Sequence, residues 1–122
     1  MFFKKQVSTD IYFESPLLKV KAISNNRIMG YITCIVKEKD EVIEIGDIQC
    51  NKNNKGYGSL MMQELIVFGK KNNYKIIEGW ISTVDLDHIE RLHHFYQNFG
   101  FEITQKREDD NKYKVEDIKL KL

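Results

Sequence analysis

The chain has little cysteine, little proline and almost no net charge. Cys34 and Cys50 are the two cysteines, too few for a disulfide framework. Both are expected to be reduced, which places the protein in the cytoplasm. The formal net charge of +1 gives no overall field that would draw in nucleic acid. No apolar run approaches membrane-spanning length, so no membrane partner is expected. The opening Met1-Phe2-Phe3-Lys4-Lys5 has its charges after the aromatics and no apolar core behind them, unlike a secretory signal. No His-Glu-x-x-His motif is present, and adjacent His93 and His94 would face different ways on a helix. No metal site is therefore expected, and His88, His93 and His94 are assigned surface or helix-end roles. What is present is ordinary: 122 residues, 42% hydrophobic and 30% charged. That bounds residues 1–122 as one globular domain with a single core.

Strand patterns dominate the first half. Val7 to Phe13 and Leu17 to Ile23 look extended, with Pro16 between them. Asn25-Asn26 signals a turn. Gly30 to Val36 is rich in β-branched and aromatic residues and reads as a strand. Lys37 to Glu41 is a charged turn, and Val42 to Cys50 is the next strand. Together these segments suggest an antiparallel meander. From Gly58 to about Lys71 the apolar period becomes helical, with Met61, Leu65 and Phe68 on one face. Asn72-Asn73 ends that helix. Lys75 to Ser82 reads as a buried strand. A second helix is predicted through Ile89, Leu92, Phe95 and Tyr96, with Asp87 as its N-cap, Glu90 three residues on, and Gly100 as its stop. Phe101 to Gln105 and Lys112 to Leu122 form a predicted final hairpin. The helix after Gly58 links two strands that should lie parallel.

The stretch Asn53 to Ser59, Asn-Asn-Lys-Gly-Tyr-Gly-Ser, lies between a strand and a helix. Glycines allow a tight turn and a close approach of backbone to ligand. The first N–H groups of a helix have no partner within it, and the helix dipole adds partial positive charge there. Such a turn suits a phosphate. An ordinary tight strand-to-helix connection would use the same residues. It is not a dinucleotide fingerprint, because Met61 stands where a third glycine belongs. It is not a P-loop, because neither Gly56 nor Gly58 precedes Lys-Ser/Thr.

Further on, residues 93–101 read His-His-Phe-Tyr-Gln-Asn-Phe-Gly-Phe. A G-x-G turn followed by F-Y-x-x-x-G-F resembles the GNAT superfamily of N-acetyltransferases. The resemblance runs from Val42 to Phe101. It implies an α+β, three-layer fold: a mixed, mostly antiparallel sheet with a central splayed parallel pair and two main helices. It also implies that acetyl-CoA is the co-substrate, its pyrophosphate on the loop and its pantetheine arm in the gap between the splayed strands. Most members carry two helices after their first strand, which roof the acceptor site. The residues before Tyr31 show no helical period, so the chain is expected to be a short member with that roof reduced or absent.

Residue by residue, the resemblance implies cofactor contacts from Ile48, Cys50, Asn53, Asn54, Lys55, Gly56, Tyr57, Gly58 and Ser59. At Ile48 and Cys50 the contact would be main-chain, as an added strand makes it. Asn53 stands where the family usually has Gln or Arg, and Lys55 could supply the charge instead. Tyr57 could simply pack outside the loop. Cys50 reads as a small buried thiol rather than a nucleophile. Tyr96 matches the tyrosine that in many relatives protonates the departing thiolate, although Phe95-Tyr96 also fits an apolar helix face. The attacking amine must lose a proton, and Glu44, then Asp47, are the candidate bases. On a regular strand they would face opposite ways, unless a bulge intervenes. Many relatives have Asn seven residues before the tyrosine; Ile89 stands there instead.

The expected activity is acetyl transfer from acetyl-CoA to a primary amine by direct attack. The alternative is a non-catalytic acetyl-CoA-binding regulatory or interaction domain of the same fold. The acceptor amine is not specified by any motif. The C-terminal strand, Lys112 to Leu122, could pair across a homodimer.

Overall fold

The computed structural model describes residues 7–51, 56–82, 88–105 and 114–122. Seven strands and two helices follow one another as β1 (Val7–Glu14), β2 (Leu17–Ser24), β3 (Arg27–Lys37), β4 (Val42–Cys50), α1 (Tyr57–Lys71), β5 (Ile76–Ser82), α2 (Ile89–Asn98), β6 (Glu102–Gln105) and β7 (Lys114–Lys121). One sheet holds all the strands in the order β1-β2-β3-β4-β5-β7-β6. Every neighbouring pair is antiparallel except β4 and β5, which run parallel. The expected meander, the α1 crossover and the final hairpin are all observed. Residues 7–51 hold strands, turns and one short 3-10 segment (Glu38–Asp40). Ser15 and Pro16 alone join β1 to β2, so the pair of helices usual after the family's first strand has no counterpart there.

The parallel ladder is short. It pairs Val42 with Ile76, Ile43 with Ile77 and Glu44 with Glu78, and it ends there. Beyond Glu44 the side of β4 that faces β5 belongs to no ladder, while its other side stays bonded to β3 as far as Cys50. This is the splayed pair.

Alternation along the strands puts Leu18, Val20, Ile32, Cys34, Ile43 and Ile77 on one face, where Met61, Met62 and Leu65 of α1 complete the core. α1 lies over β2, β3 and β4. α2 is on the same side: a Cβ built on Gly58 of α1 would sit 3.4 Å from the Phe95 ring. The opposite face of the sheet carries Tyr12, Leu17, Ile35 and Trp80, all substantially exposed. Among the described residues no helix covers it.

Two expectations change. The C-terminal strand is not an edge. β7 lies between β5 and β6, and residues 116–119 are paired on both sides, so they offer no free edge to a second copy. The sheet's edges are β1 and β6. The N-cap of α2 is His88, which makes no side-chain cap bond, and Asp87 lies outside the described residues. The helix stops behave as expected. Asn72 Nδ2 donates to the Phe68 carbonyl at 2.8 Å and Asn73 has φ +63°. Gly100 follows α2 with φ +91°, a left-handed position that favours glycine.

Candidate active site

Both helices start from the carboxyl end of the parallel pair. α1 follows β4 and α2 follows β5. Their opening turns therefore meet above the splay. A cavity of about 470 Å³ lies between them. Its lining combines Ile48 and Cys50 from β4, residues 56–59 opening α1, and Arg91, Phe95 and Tyr96 from α2, among others.

Of the residues predicted from sequence, Ile48, Cys50, Gly56, Tyr57, Gly58, Ser59 and Tyr96 come together here. Asn53, Asn54 and Lys55 lie outside the described residues. The end of β4 is anchored by Asn51, whose N–H donates to the Met29 carbonyl at 2.8 Å and whose Nδ2 donates to the Ile28 carbonyl at 3.1 Å. Gly56 is the N-cap of α1, with φ +79°. Other residues strain in that region, and no side chain caps the helix. The amides of Tyr57, Gly58 and Ser59 precede the first intrahelical bond, from Leu60 N–H to the Gly56 carbonyl at 3.0 Å. They open the helix at the cavity wall. Gly58 is already helical; its missing side chain leaves room beside Phe95 and the Cys50 sulfur, which a Cβ would meet at 3.4 and 3.7 Å. Tyr57 is buried rather than packed outside the loop; its ring joins the core while the residue also lines the cavity.

Tyr96 is 6% exposed and sits edge-on to Phe95 and Phe101, with ring centroids 5.3 and 5.4 Å away. It is thus both a core residue and a cavity residue. Burial pushes the Cys50 thiol above its ordinary pKa, so it stays protonated at neutral pH and makes a poor nucleophile.

Glu44 and Asp47 do not line this cavity. β4 carries the bulge on which their common face depends. Thr33 pairs with Asp47 and Cys34 with Ile45, leaving Gly46 as the extra residue. Glu44 and Asp47 therefore point the same way, to the uncovered face. Glu44 binds Lys37 Nζ at 2.6 Å, and the same ammonium lies 3.6 Å from Glu78. Its position pushes the Lys37 pKa up, first through the hydrogen bond to Glu44. Asp47 accepts a hydrogen bond from Gln49 Nε2 at 2.8 Å. A second cavity, of about 340 Å³, opens on this face, with Glu44, Glu78, Trp80, Glu102 and Asp117 in its wall beside Lys37 and Lys119.

The sequence reading missed the side chains that α2 brings to the first cavity: His88, Arg91, His94 and Asn98. Their spacing in steps of three and four was the available signal. His93 is half-buried on α2, and its ring nitrogen lies 2.6 Å from the buried Glu116 carboxylate on β7.

The chain belongs to the acetyltransferase (GNAT) family, whose model matches residues 4–101. An uncharacterized protein of Bacillus subtilis, YocC, is 34% identical over 74 residues, 61% of this chain and 44% of that protein. An N-acetyltransferase of Methanocaldococcus jannaschii, itself uncharacterized, is 29% identical over 85 residues, covering 64% of this chain and 36% of that one. The chain thus spans less than half the length of these relatives. Among solved structures, a Bacillus subtilis acetyltransferase in complex with CoA superposes with a TM-score of 0.71 at 17% identity, over 96% of this chain and 99% of that one. The fold is shared at low identity. Among the described residues no helix is long and apolar enough to cross a membrane.

Proposed function

We propose that the protein is an acyl-CoA-dependent N-acyltransferase that moves an acetyl group from acetyl-CoA to a primary amine by direct attack. One observation carries this: the cavity in which the unladdered end of β4, the opening amides of α1 and Tyr96 of α2 converge. The family supplies the chemistry, and the CoA complex of the Bacillus structure supports the choice of cofactor. Amides 57–59 would hold the diphosphate. The pantetheine arm would lie along Ile48 and Cys50, bonding the free side of β4 as an added strand does. The carbonyl would then reach the splay, past the last pair of the β4–β5 ladder. The amine would approach from the uncovered face, whose cavity has more carboxylates than ammonium groups and so suits a cationic acceptor.

The roles follow from placement. Tyr96 would give its phenolic proton to the departing thiolate. Asp47 would take the amine's proton ahead of Glu44. It lies past the last parallel pair, whereas Glu44 shares its charge with Lys37. Holding thioester and amine together supplies most of the rate gain.

A second reading is a domain that binds acetyl-CoA without turning it over. The Lys37–Glu44 ion pair favours it, because it occupies one of the two candidate bases. Calorimetry with acetyl-CoA and thiol release across an amine panel separate the two: binding with release on some amine supports the enzyme, and binding with none on any supports the second reading. Gly58→Glu, which puts a carboxylate between α1 and Phe95, is expected to lower CoA affinity at least tenfold with the circular dichroism spectrum retained. Unchanged affinity removes the cavity from the assignment.

A further inference from the structure

The α2 side of the cofactor cavity has a charge pattern that the rest of the chain lacks. The chain as a whole is balanced, with 19 Lys and Arg against 18 Asp and Glu. The cavity on the opposite face has four carboxylates in its wall, Glu44, Glu78, Glu102 and Asp117. The cavity between the helices has none among its described lining residues. Among the described residues its one permanently charged side chain is Arg91, and its titratable companions are His88 and His94.

Resting on the coenzyme A reading above, we infer that Arg91 is the cation of a two-sided phosphate clamp whose other side is the opening turn of α1. Residues 88, 91, 95 and 98 follow one another in steps of three and four and make one stripe of α2 facing the cavity. Arg91 sits in the opening turn of α2, at the same end of the molecule as amides 57–59. Among the described residues the ion pairs are those of Lys37, Lys75 and His93, and no described carboxylate pairs with Arg91. Its side chain is exposed at the rim and does not serve the core.

The chemistry asks for such a group. Amides at a helix start carry only a fractional charge, about half an elementary unit. The phosphates of coenzyme A carry full charges. Residue 53, where many relatives place Gln or Arg, is an uncharged Asn. A guanidinium opposite the amides offers two parallel N–H donors to one phosphate.

The test is calorimetry on the full chain with coenzyme A and with dephospho-coenzyme A, which lacks the ribose phosphate, at low and high salt. Arg91→Ala is expected to weaken coenzyme A binding about tenfold or more, as losing a charge-assisted hydrogen bond does. It should also flatten the salt dependence, since a screened charge pair has gone. Arg91→Lys should keep part of both, and the melting temperature of each variant should match the parent. If Arg91→Ala weakens coenzyme A alone, Arg91 meets the ribose phosphate and not the diphosphate opposite the amides, and the two-sided clamp is overturned. If it weakens both ligands alike, the clamp holds the diphosphate. Parental affinity and salt dependence in Arg91→Ala overturn the clamp while leaving the coenzyme reading intact. A parent protein that binds neither ligand removes that reading and the clamp together.

Discussion

Tyr96 shows how one side chain can pack in the core and still line a cavity. Its ring is held between Phe95 and Phe101, while the residue also lines the cavity between the helices. Tyr96→Phe keeps the ring and removes the proton. With acetyl-CoA and an accepted amine, turnover is expected to fall about 10²-fold or more, with coenzyme A affinity within about twofold of the parent. Equal rates would make Tyr96 a packing residue only. Cys50 offers a second readout. It borders the cavity as a protonated thiol, and Cys34 is fully buried. Alkylation by iodoacetamide at pH 7.5 should be slower than that of a free cysteine, rise with pH as the thiolate forms, and drop when coenzyme A is added. Labelling that coenzyme A leaves unchanged would mean that the ligand does not cover β4 at Cys50.

The decisive elements are β4 and β5, and the place where they part. Glu44 and Glu78 face one another in the last parallel pair, and Lys37 bridges them. Without that ammonium, two like charges stand in register on neighbouring strands. Lys37→Met is expected to cost about 0.5–1 kcal/mol at neutral pH, a small sum because the pair is solvent-accessible. The loss should shrink in high salt and below the carboxylate range, where the two acids are neutral. A cost independent of pH and salt would point to lost packing of the lysine stem. The bulge at Gly46 is the other device of this strand. It turns Asp47 onto the face of Glu44 while Ile48 and Cys50 face the cavity between the helices. Under the proposed function, one strand would then serve the thioester on one side and the amine on the other.

For the whole molecule, the uncovered face and the single core set the behaviour. Cys34 lies at the core's centre, and burial pushes its thiol up to about 12 from the ordinary 9.0. The folded state therefore holds that proton more tightly than the unfolded chain does. Its contribution is fully present below about pH 9 and is lost as pH rises through about 12. The integrated loss is of the order of 4 kcal/mol. Denaturant melts between pH 8 and 11 should show stability falling with pH. Cys34→Ala should start less stable and fall less steeply over that range. Parallel curves would assign the alkaline loss to other groups. The face opposite the helices exposes Tyr12, Leu17, Ile35 and Trp80, because the β1–β2 connection is Ser15 and Pro16 alone.

Local patterns determined the elements of this chain. Strand alternation, the helical period through Met61 and Leu65, and the stops at Asn73 and Gly100 are short-range signals. The chain obeys them because each segment must bury its apolar side and end where backbone geometry requires it. The G-x-G turn and Phe95-Tyr96 likewise announced the family. Tertiary structure alone decided where these pieces meet. β7 enters between β5 and β6, which removes the edge that a terminal strand was expected to offer. The bulge reverses which face Asp47 shares, and Lys37 claims Glu44 from a neighbouring strand. Arg91, His88, His94 and Asn98 become a cavity wall only because α2 packs beside the opening turn of α1. These are relations between residues far apart in the chain, and no local pattern encodes a register shift or the neighbour across a sheet.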